Sequence, residues 1–432
     1  MADHDVTSPG PSLTAGQIAG VVAGNGLEFY DFLTFSFFAA QIGRTLFPQG
    51  GGHGLTFALA TFGVGFVTRP LGGFIIGRIA DRRGRKPAML LTFSCMGVAI
   101  VGLALTPGYA AIGMAAPVLA VALRMLQGFA LGGEVGPNTA FLLEAAPAGR
   151  RALYVSFQYA TQDAAVLLSG CVGLALSSAL APAQLDSWGW RVAFLIGAAI
   201  VPFGLWMRRS LGETLHVAAQ DSAGEPEGSY RVIATGGLLV LAAGTIANYT
   251  LDYLTTFAQD TLQMRTEIAF GATIALGLTN VVVGLASGLL ADRFGRKRVL
   301  ILPWLLLILT IVPAFSVMAA YRSSTALLTM TVLLAVLLSM CTGPALVLFS
   351  EAVPARVRAG SIGLIYALSI AIFGGSAQFV DHQLIDWTGN PVAPAWYTLT
   401  ALVVGLTGVA MIPERKPPPL TVEPGAAAMA TA

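Results

Sequence analysis

Charged residues inside long apolar runs are where this chain could do chemistry. Away from the ends of such runs, only Arg69 and Arg124 are basic. Glu28, Asp31, Glu134, Asp163 and Asp252 are the acids there, and Asp381 stands near the end of a run. An ionisable group costs roughly 3 kcal/mol or more in a bilayer unless it faces a cavity or a partner, so each is a candidate site residue. Arginine cannot shed its charge, so Arg124 needs an anion: a carboxylate of the chain, a substrate, or both in turn.

The polar neighbours of these charges fall at helical spacing. Asn25, Glu28 and Asp31 follow at i, i+3 and i+6, on one helix face about 120° wide. Tyr30 and Phe32 flank Asp31. Gln127 and Glu134 lie within about 20° of each other on the helix that carries Arg124. Gln158 and Gln162 are one turn apart on another helix, as are Asn248 with Asp252 and Tyr249 with Tyr253 on a further one. Single Asn, Gln and Tyr residues in apolar helices ordinarily hydrogen-bond between helices, so the structural role competes with the binding role at each. The expected chemistry is anion recognition by the Arg69 and Arg124 forks. Asn25, Tyr30, Gln127, Gln158 and Gln162 are candidate substrate contacts in the first half, and Asn248, Asp252 and Tyr253 in the second. Asp31 is the expected proton carrier and Arg124 its expected partner: substrate competes for Arg124, and Asp31 then takes up a proton. Glu134, about 15 Å from Arg124 along the same helix, and Glu28 are the other candidate proton carriers.

The elements that position these residues can be read from composition. The 432 residues are 55% hydrophobic and 11% charged, against roughly 25% charged in soluble proteins. Apolar runs of about 20 residues fall near 17–40, 56–79, 88–106, 114–142, 153–180, 190–208, 232–258, 268–291, 298–320, 325–348, 358–385 and 393–412. The expectation is an all-α membrane protein of twelve spans in contact with lipid. Net charge is +2, which gives no basic surface for nucleic acid. The three cysteines stand apart in apolar runs, with no metal-ligand spacing and no disulfide framework. No cofactor or metal is expected.

The chain repeats itself. Gly77-Arg78-Ile79-Ala80-Asp81-Arg82-Arg83-Gly84-Arg85-Lys86 returns as Gly288-Leu289-Leu290-Ala291-Asp292-Arg293-Phe294-Gly295-Arg296-Lys297. Each copy reads as a tight, cation-rich turn between spans. A second pair, Gly136-Pro137 with Glu144 and Arg151 against Gly343-Pro344 with Glu351 and Arg358, keeps identical spacing. The chain is therefore expected as two related halves. Lys and Arg cluster in alternate loops, which puts both termini and the polar segment 209–231 in the cytoplasm. The expected division is an N-terminal tail at 1–16, a first bundle at 17–208, a linker at 209–231, a second bundle at 232–412 and a C-terminal tail at 413–432. Met1 to Thr14 reads as a cytoplasmic tail and not as a signal peptide.

With these residues in view, the chain resembles the major facilitator superfamily, and within it the metabolite–proton symporters. Carrying the narrower resemblance are Gly24-Asn25-Gly26-Leu27-Glu28-Phe29-Tyr30-Asp31-Phe32, Arg69-Pro70-Leu71-Gly72-Gly73, the stretch Arg124 to Glu134, and Trp188 to Leu195. It looks nearest to the citrate and tricarballylate symporters, which Phe373-Gly374-Gly375 also fits. The resemblance implies two pseudo-symmetric six-helix bundles around a central cavity, alternating access, and coupling through Asp31 and Arg124. It implies gating by Gly77, Asp81, Arg82, Gly84, Arg85, Glu144 and Arg151, matched in the second half by Asp292, Arg293, Arg296 and Glu351. It implies a monomer in the bacterial inner membrane. The chain departs from the pattern at Phe29, where Trp is common, and at Ala193, where Pro is common.

Other function classes lack their residues. No nucleophile–base or metal constellation supports a membrane enzyme. Lys86, Lys297 and Lys416 precede Pro, Arg and Pro, so there is no phosphate-binding loop for an ATP-driven pump. The fifth span has no Gly-Pro pair of the exporter kind. The expectation is a proton-coupled importer of a small organic acid, with an exporter or an importer of a zwitterion such as a betaine as the alternatives. Asp163 and Asp252 bear on that choice, since acids in the cavity repel a polyanion.

Overall fold

The structure is a computed structural model and describes residues 26, 29–48, 52–83, 85–132, 142, 146, 147, 149–198, 202, 230–353 and 358–414. The side chains of 77, 80–90 and 358–360 lie outside that description. All regular structure among the described residues is helical. In a bilayer interior every backbone N–H and C=O must be bonded within its own helix, which is what runs of this length and polarity achieve.

The first span is helical over 29–37 and continues past Phe38 as Ala39–Leu46. The second is Gly54–Val67 followed by Arg69–Arg83, the third Arg85–Leu105 and the fourth Ala115–Leu131. The fifth is Arg151–Ala179; the sixth passes a wide π-turn at Leu185–Gly189 and runs on through 198. The seventh is Tyr230–Thr256, the eighth Thr266–Phe294, the ninth Arg296–Tyr321 and the tenth Ser324–Ala352. The eleventh is Arg358–Ser369 and Gly375–Thr388, joined by a π-turn at Ile370–Gly374; the twelfth is Ala393–Met411. Among the described residues eight helices are long and apolar enough to cross a bilayer, and Leu91–Leu105 and Ala115–Leu131 are shorter apolar helices. Residues such as Val67, Leu105, Leu302 and Leu309 are exposed on the outside of the bundle, an apolar surface suited to lipid.

The repeated motif is more helical than its charges suggest. In the second copy the eighth span runs through Arg293 to Phe294, and a single residue, Gly295, separates it from the ninth. Gly295 has φ +97°, a conformation only glycine adopts without strain. Cations such as Arg293 in the last turn of a helix are stabilised by its negative end, so they extend the helix and do not form a loop.

The helices that carry the site touch backbone to backbone. A Cβ at Gly128 would lie 1.5 Å from the Gly65 carbonyl oxygen, and one at Gly132 would lie 1.9 Å from that of Arg69. The second and fourth spans therefore cross with nothing between them, which sets Arg69 and Arg124 on adjoining backbones. Between the halves, the fifth span packs along the eighth and the second along the eleventh. Exchanging the halves maps one contact onto the other, as a duplicated chain requires. At the second contact a Cβ on Gly63 would meet the Gly375 carbonyl oxygen at 2.2 Å.

Candidate functional site

The fourth span holds Arg124 fully buried. Its Nη1 donates to Gln127 Oε1 at 2.6 Å, one turn on, and to the Phe32 carbonyl at 3.4 Å. Its guanidinium lies 4.2 Å from the Phe32 ring centroid, 4.6 Å from Phe35 and 5.1 Å from Phe62. Arg69 comes from the second span and stands 4.4 Å from the same Phe32 ring and 4.3 Å from Phe66. Two buried cations thus share one aromatic ring.

Cation–π contacts are worth about 0.5–2 kcal/mol each, while removing an ion from water costs several kcal/mol even after relaxation. The aromatic cage therefore leaves a deficit that an anion would offset. Among the described residues neither arginine has a carboxylate at ion-pair distance, and Nε and Nη2 of both are without a hydrogen-bond partner. These are the atoms a bidentate carboxylate would take.

Asp31 is buried against a different wall. A Cβ at Gly197 of the sixth span would fall 1.5 Å from Asp31 Oδ1, so the carboxylate fills the space that glycine leaves. Oδ1 has no partner among the described residues. Tyr30 makes the same wall, its hydroxyl donating to the Ala193 carbonyl at 3.1 Å. The pairing of Asp31 with Arg124 expected from the sequence is not formed. Roughly 100° separates successive residues on a helix, so Phe32 faces the arginines and Asp31 faces the sixth span. Tyr30 likewise turns from the substrate-facing position expected of it.

A cavity lies between the halves, lined on the fifth span by Tyr159, Gln162 and Asp163, and on the seventh by Asn248, Tyr249 and Asp252. Asn280, Ser339 and Tyr366 add to its polar lining, with Ser156, Thr245 and Thr342. Asn248 Nδ2 donates to Asp252 Oδ2 at 3.2 Å. Asn280 Nδ2 donates to Asp163 Oδ1 at 3.1 Å and Asn280 Oδ1 accepts from Ser339 Oγ at 2.5 Å, a chain that crosses between the halves. Tyr249 is the wall shared with the arginine cage, its ring edge-on to Phe66 at 5.4 Å. Tyr249 and Tyr366 both lie within electrostatic reach of Arg69.

Beyond the cavity, cross-half hydrogen bonds seal one end. Ser36 donates to Gln378 at 2.7 Å, Gln41 to Gln259 at 2.9 Å, and His382 meets Thr56 at 3.2 Å. Tyr253 reaches His382 at 3.4 Å, so it serves this seal and does not line the cavity. At the other end, Asp292 accepts from the backbone N–H groups of Ala152 and Leu153 at 3.0 and 2.9 Å. Those groups open the fifth span, where a helix favours a negative charge. Arg296 joins Asp292 at 3.2 Å to Glu351 at 3.1 Å, with Arg151 within electrostatic reach of Glu351. Arg293 instead lies over Phe294. Glu414, in the expected C-terminal tail, accepts from Arg296 N at 2.6 Å and Lys297 N at 3.2 Å, capping the ninth span.

The structure therefore groups the sequence candidates into separate sites. Arg69, Arg124 and Gln127 form the arginine site; Gln162, Asn248 and Asp252 line the cavity; Gln158 is buried one turn from Gln162. Asp292, Arg296 and Glu351 form the tie at one end. Asn25, Glu28, Glu134, Gly84 and Glu144, and the side chains of Asp81, Arg82 and Arg85 with position 77, lie outside the described residues. The phenylalanine cage and Gly197 escaped the sequence reading. The spacing of Phe32 with Phe35, and of Phe62 with Phe66, was the available signal, but apolar residues at helical spacing read first as core. Among the described residues no cluster of three His, Cys, Asp or Glu could hold a metal.

Comparison with known proteins places this geometry. The Major Facilitator Superfamily model matches residues 24–376. The citrate-proton symporter of Klebsiella pneumoniae is 34% identical over 400 residues, covering 90% of each chain. The alpha-ketoglutarate permease of Escherichia coli K12 is 35% identical over 418 residues, 94% of this chain and 96% of that one. The proline/betaine transporter of the same organism is 29% identical over 429 residues, 94% and 85% of the two chains. Among solved structures a D-xylose-proton symporter superposes with a TM-score of 0.74 at 19% identity, over 93% of this chain and 99% of that one; that likeness speaks for the fold.

Proposed function

The chain belongs to the major facilitator superfamily, a multi-pass inner-membrane transporter and not an enzyme, and we propose that it imports a small organic acid by proton symport with alternating access. The observation that carries the reading is the pair of buried guanidinium groups with no carboxylate beside them among the described residues. A substrate carboxylate takes the free Nε and Nη2 edges and is excluded from water by the phenylalanine cage. Asp31 carries the proton at the Gly197 wall. An ionised carboxylate without a cation is costly there, so the first span closes on the sixth with Asp31 neutral. Phe32, next in the chain, touches both arginines. Anion binding on one face of the first span and proton binding on the adjacent face are thereby linked, and the linkage is reciprocal. Charge in the loops puts both termini in the cytoplasm. The Asp292 tie then closes the inner end and the Gln41–Gln259 and Thr56–His382 bonds close the outer one.

Titration calorimetry of the purified protein with 2-oxoglutarate and citrate tests this. Arg124→Lys keeps the charge and loses the fork, so affinity should fall about 10- to 150-fold, the loss of one charge-assisted hydrogen bond at roughly 1.5–3 kcal/mol. A double Arg69→Lys, Arg124→Lys variant with wild-type affinity would exclude the carboxylate reading. A zwitterion such as a betaine is the second reading, favoured by the two carboxylates and the aromatic rings of Phe29, Tyr159, Tyr249, Trp304 and Tyr366 around the cavity.

A further inference from the structure

The arginine site leaves two carboxylates unused. Asp163 of the fifth span and Asp252 of the seventh line one cavity, and their charges act on one another. Among the described residues the other titratable groups lining it are Tyr159 on the fifth span, Tyr249 on the seventh, Cys341 on the tenth and Tyr366 on the eleventh. The described lining from the first, eighth and ninth spans carries none, and no described Lys, Arg or His lines it. Two ionised carboxylates facing one largely apolar space repel, with no cation among the described lining residues to offset either.

An independent feature points to what comes between them. Gln162 lines the same cavity and is only 8% exposed, yet its Nε2 has no partner among the described residues. A buried donor left unmade costs about 1–3 kcal/mol. The cavity therefore calls for a group that accepts from Gln162 and also donates to an aspartate that already holds an asparagine N–H. A hydroxyl meets both demands only from a single oxygen. A carboxyl group meets them from two, and beside two aspartates it enters only with a proton, which leaves the charge of the site unchanged. The arginine cage, on the far side of Tyr249, supplies a place for a second carboxylate of the same molecule.

We propose that Asp163, Asp252 and Gln162 form a second subsite that takes the far carboxyl group of a dicarboxylate together with one proton, shared between that carboxyl and one aspartate. The proposal rests on the organic-acid reading above and adds to it the substrate class and a proton besides the one at Asp31. No bond other than the O–H bond is made or broken; the proton comes from solvent on loading and returns to it on release.

Calorimetry on the full chain in detergent tests this, with 2-oxoglutarate and pyruvate as probes in buffers of different ionisation enthalpy. The wild type should take up about one more proton with 2-oxoglutarate than with pyruvate. On raising the pH its affinity for 2-oxoglutarate should fall more steeply than that for pyruvate, by up to about a further tenfold per pH unit, the slope of one additional linked proton. In the Asp163→Asn, Asp252→Asn double variant the extra proton should vanish and the slope flatten. If that variant does not fold, the two single variants serve, each expected to lower the extra proton uptake. Gln162→Leu should lose more affinity for 2-oxoglutarate than for pyruvate. Equal proton uptake with both probes in the wild type, or unchanged uptake in the double variant, overturns this subsite alone. A wild type that binds neither probe overturns the organic-acid reading and the subsite with it. Glycine betaine bound by the wild type and lost in the double variant would give the aspartates to a cation, and overturns the proposal too.

Discussion

Asp292→Asn should open the end of the molecule that Asp292 ties shut. The carboxylate accepts from Ala152 N and Leu153 N in the other half, and from Arg296 in its own. Its side chain is 8% exposed and that of Arg296 3%, so solvent screens these contacts little. Asparagine keeps one acceptor oxygen and can hold one of the two backbone groups. The other charge-assisted bond is lost, at roughly 1.5–3 kcal/mol, with about 0.5–1 kcal/mol from the negative charge at the start of the fifth span. Arg296 keeps Glu351 and needs no further correction. The total, about 2–4 kcal/mol, moves the ratio of open to closed by roughly 30- to 800-fold, at about 1.4 kcal/mol per tenfold. Spin labels at Arg150→Cys and Arg298→Cys, in a chain with Cys95, Cys171 and Cys341 replaced, would report the separation of the fifth and ninth span ends. The short-distance population should become the minority. A distance distribution unchanged in a fully folded Asp292→Asn variant would refute the reasoning, and the tie would then be a cap on the fifth span with no bearing on access.

Gly63→Ala places a Cβ against the Gly375 carbonyl, so the second and eleventh spans should move apart. Gln41→Cys, buried in the seal, should then react severalfold faster with a soluble maleimide; an unchanged rate would mean the contact is not part of that seal. Asp31→Asn should abolish uphill, proton-driven uptake into vesicles yet leave substrate exchange measurable. Accumulation against a gradient in that variant would remove Asp31 as the coupling residue.

The spans were legible because a bilayer demands about 20 apolar residues per crossing, and the duplication because motif spacing survives in one dimension. Arg69 and Arg124 were legible for the same reason: a cation in an apolar run stands out. The choice of helix face was not. The spacing of Asn25, Glu28 and Asp31 marks a face but not what it meets, and only packing shows that Gly197 makes room for the Asp31 carboxylate. The Tyr30 hydroxyl is satisfied by a backbone carbonyl at Ala193, a partner with no sequence signature. The motif read as a loop because its charges suit water; they suit the end of a helix equally, and Gly295 alone breaks it.

The arginine pair also bears on voltage. Among the described residues the two guanidiniums have no carboxylate at ion-pair distance, and one substrate carboxylate lowers their summed charge by one. The proton that Asp31 takes up in the proposed coupling raises the charge of the first span by one, so the two changes cancel. A unit charge crossing the whole field gains or loses about 2.3 kcal/mol per 100 mV, and with carboxylate and proton loaded one for one the laden and vacant carriers feel that field alike. On this arrangement the pH gradient drives uptake, and a change of membrane potential at constant pH leaves it unaltered.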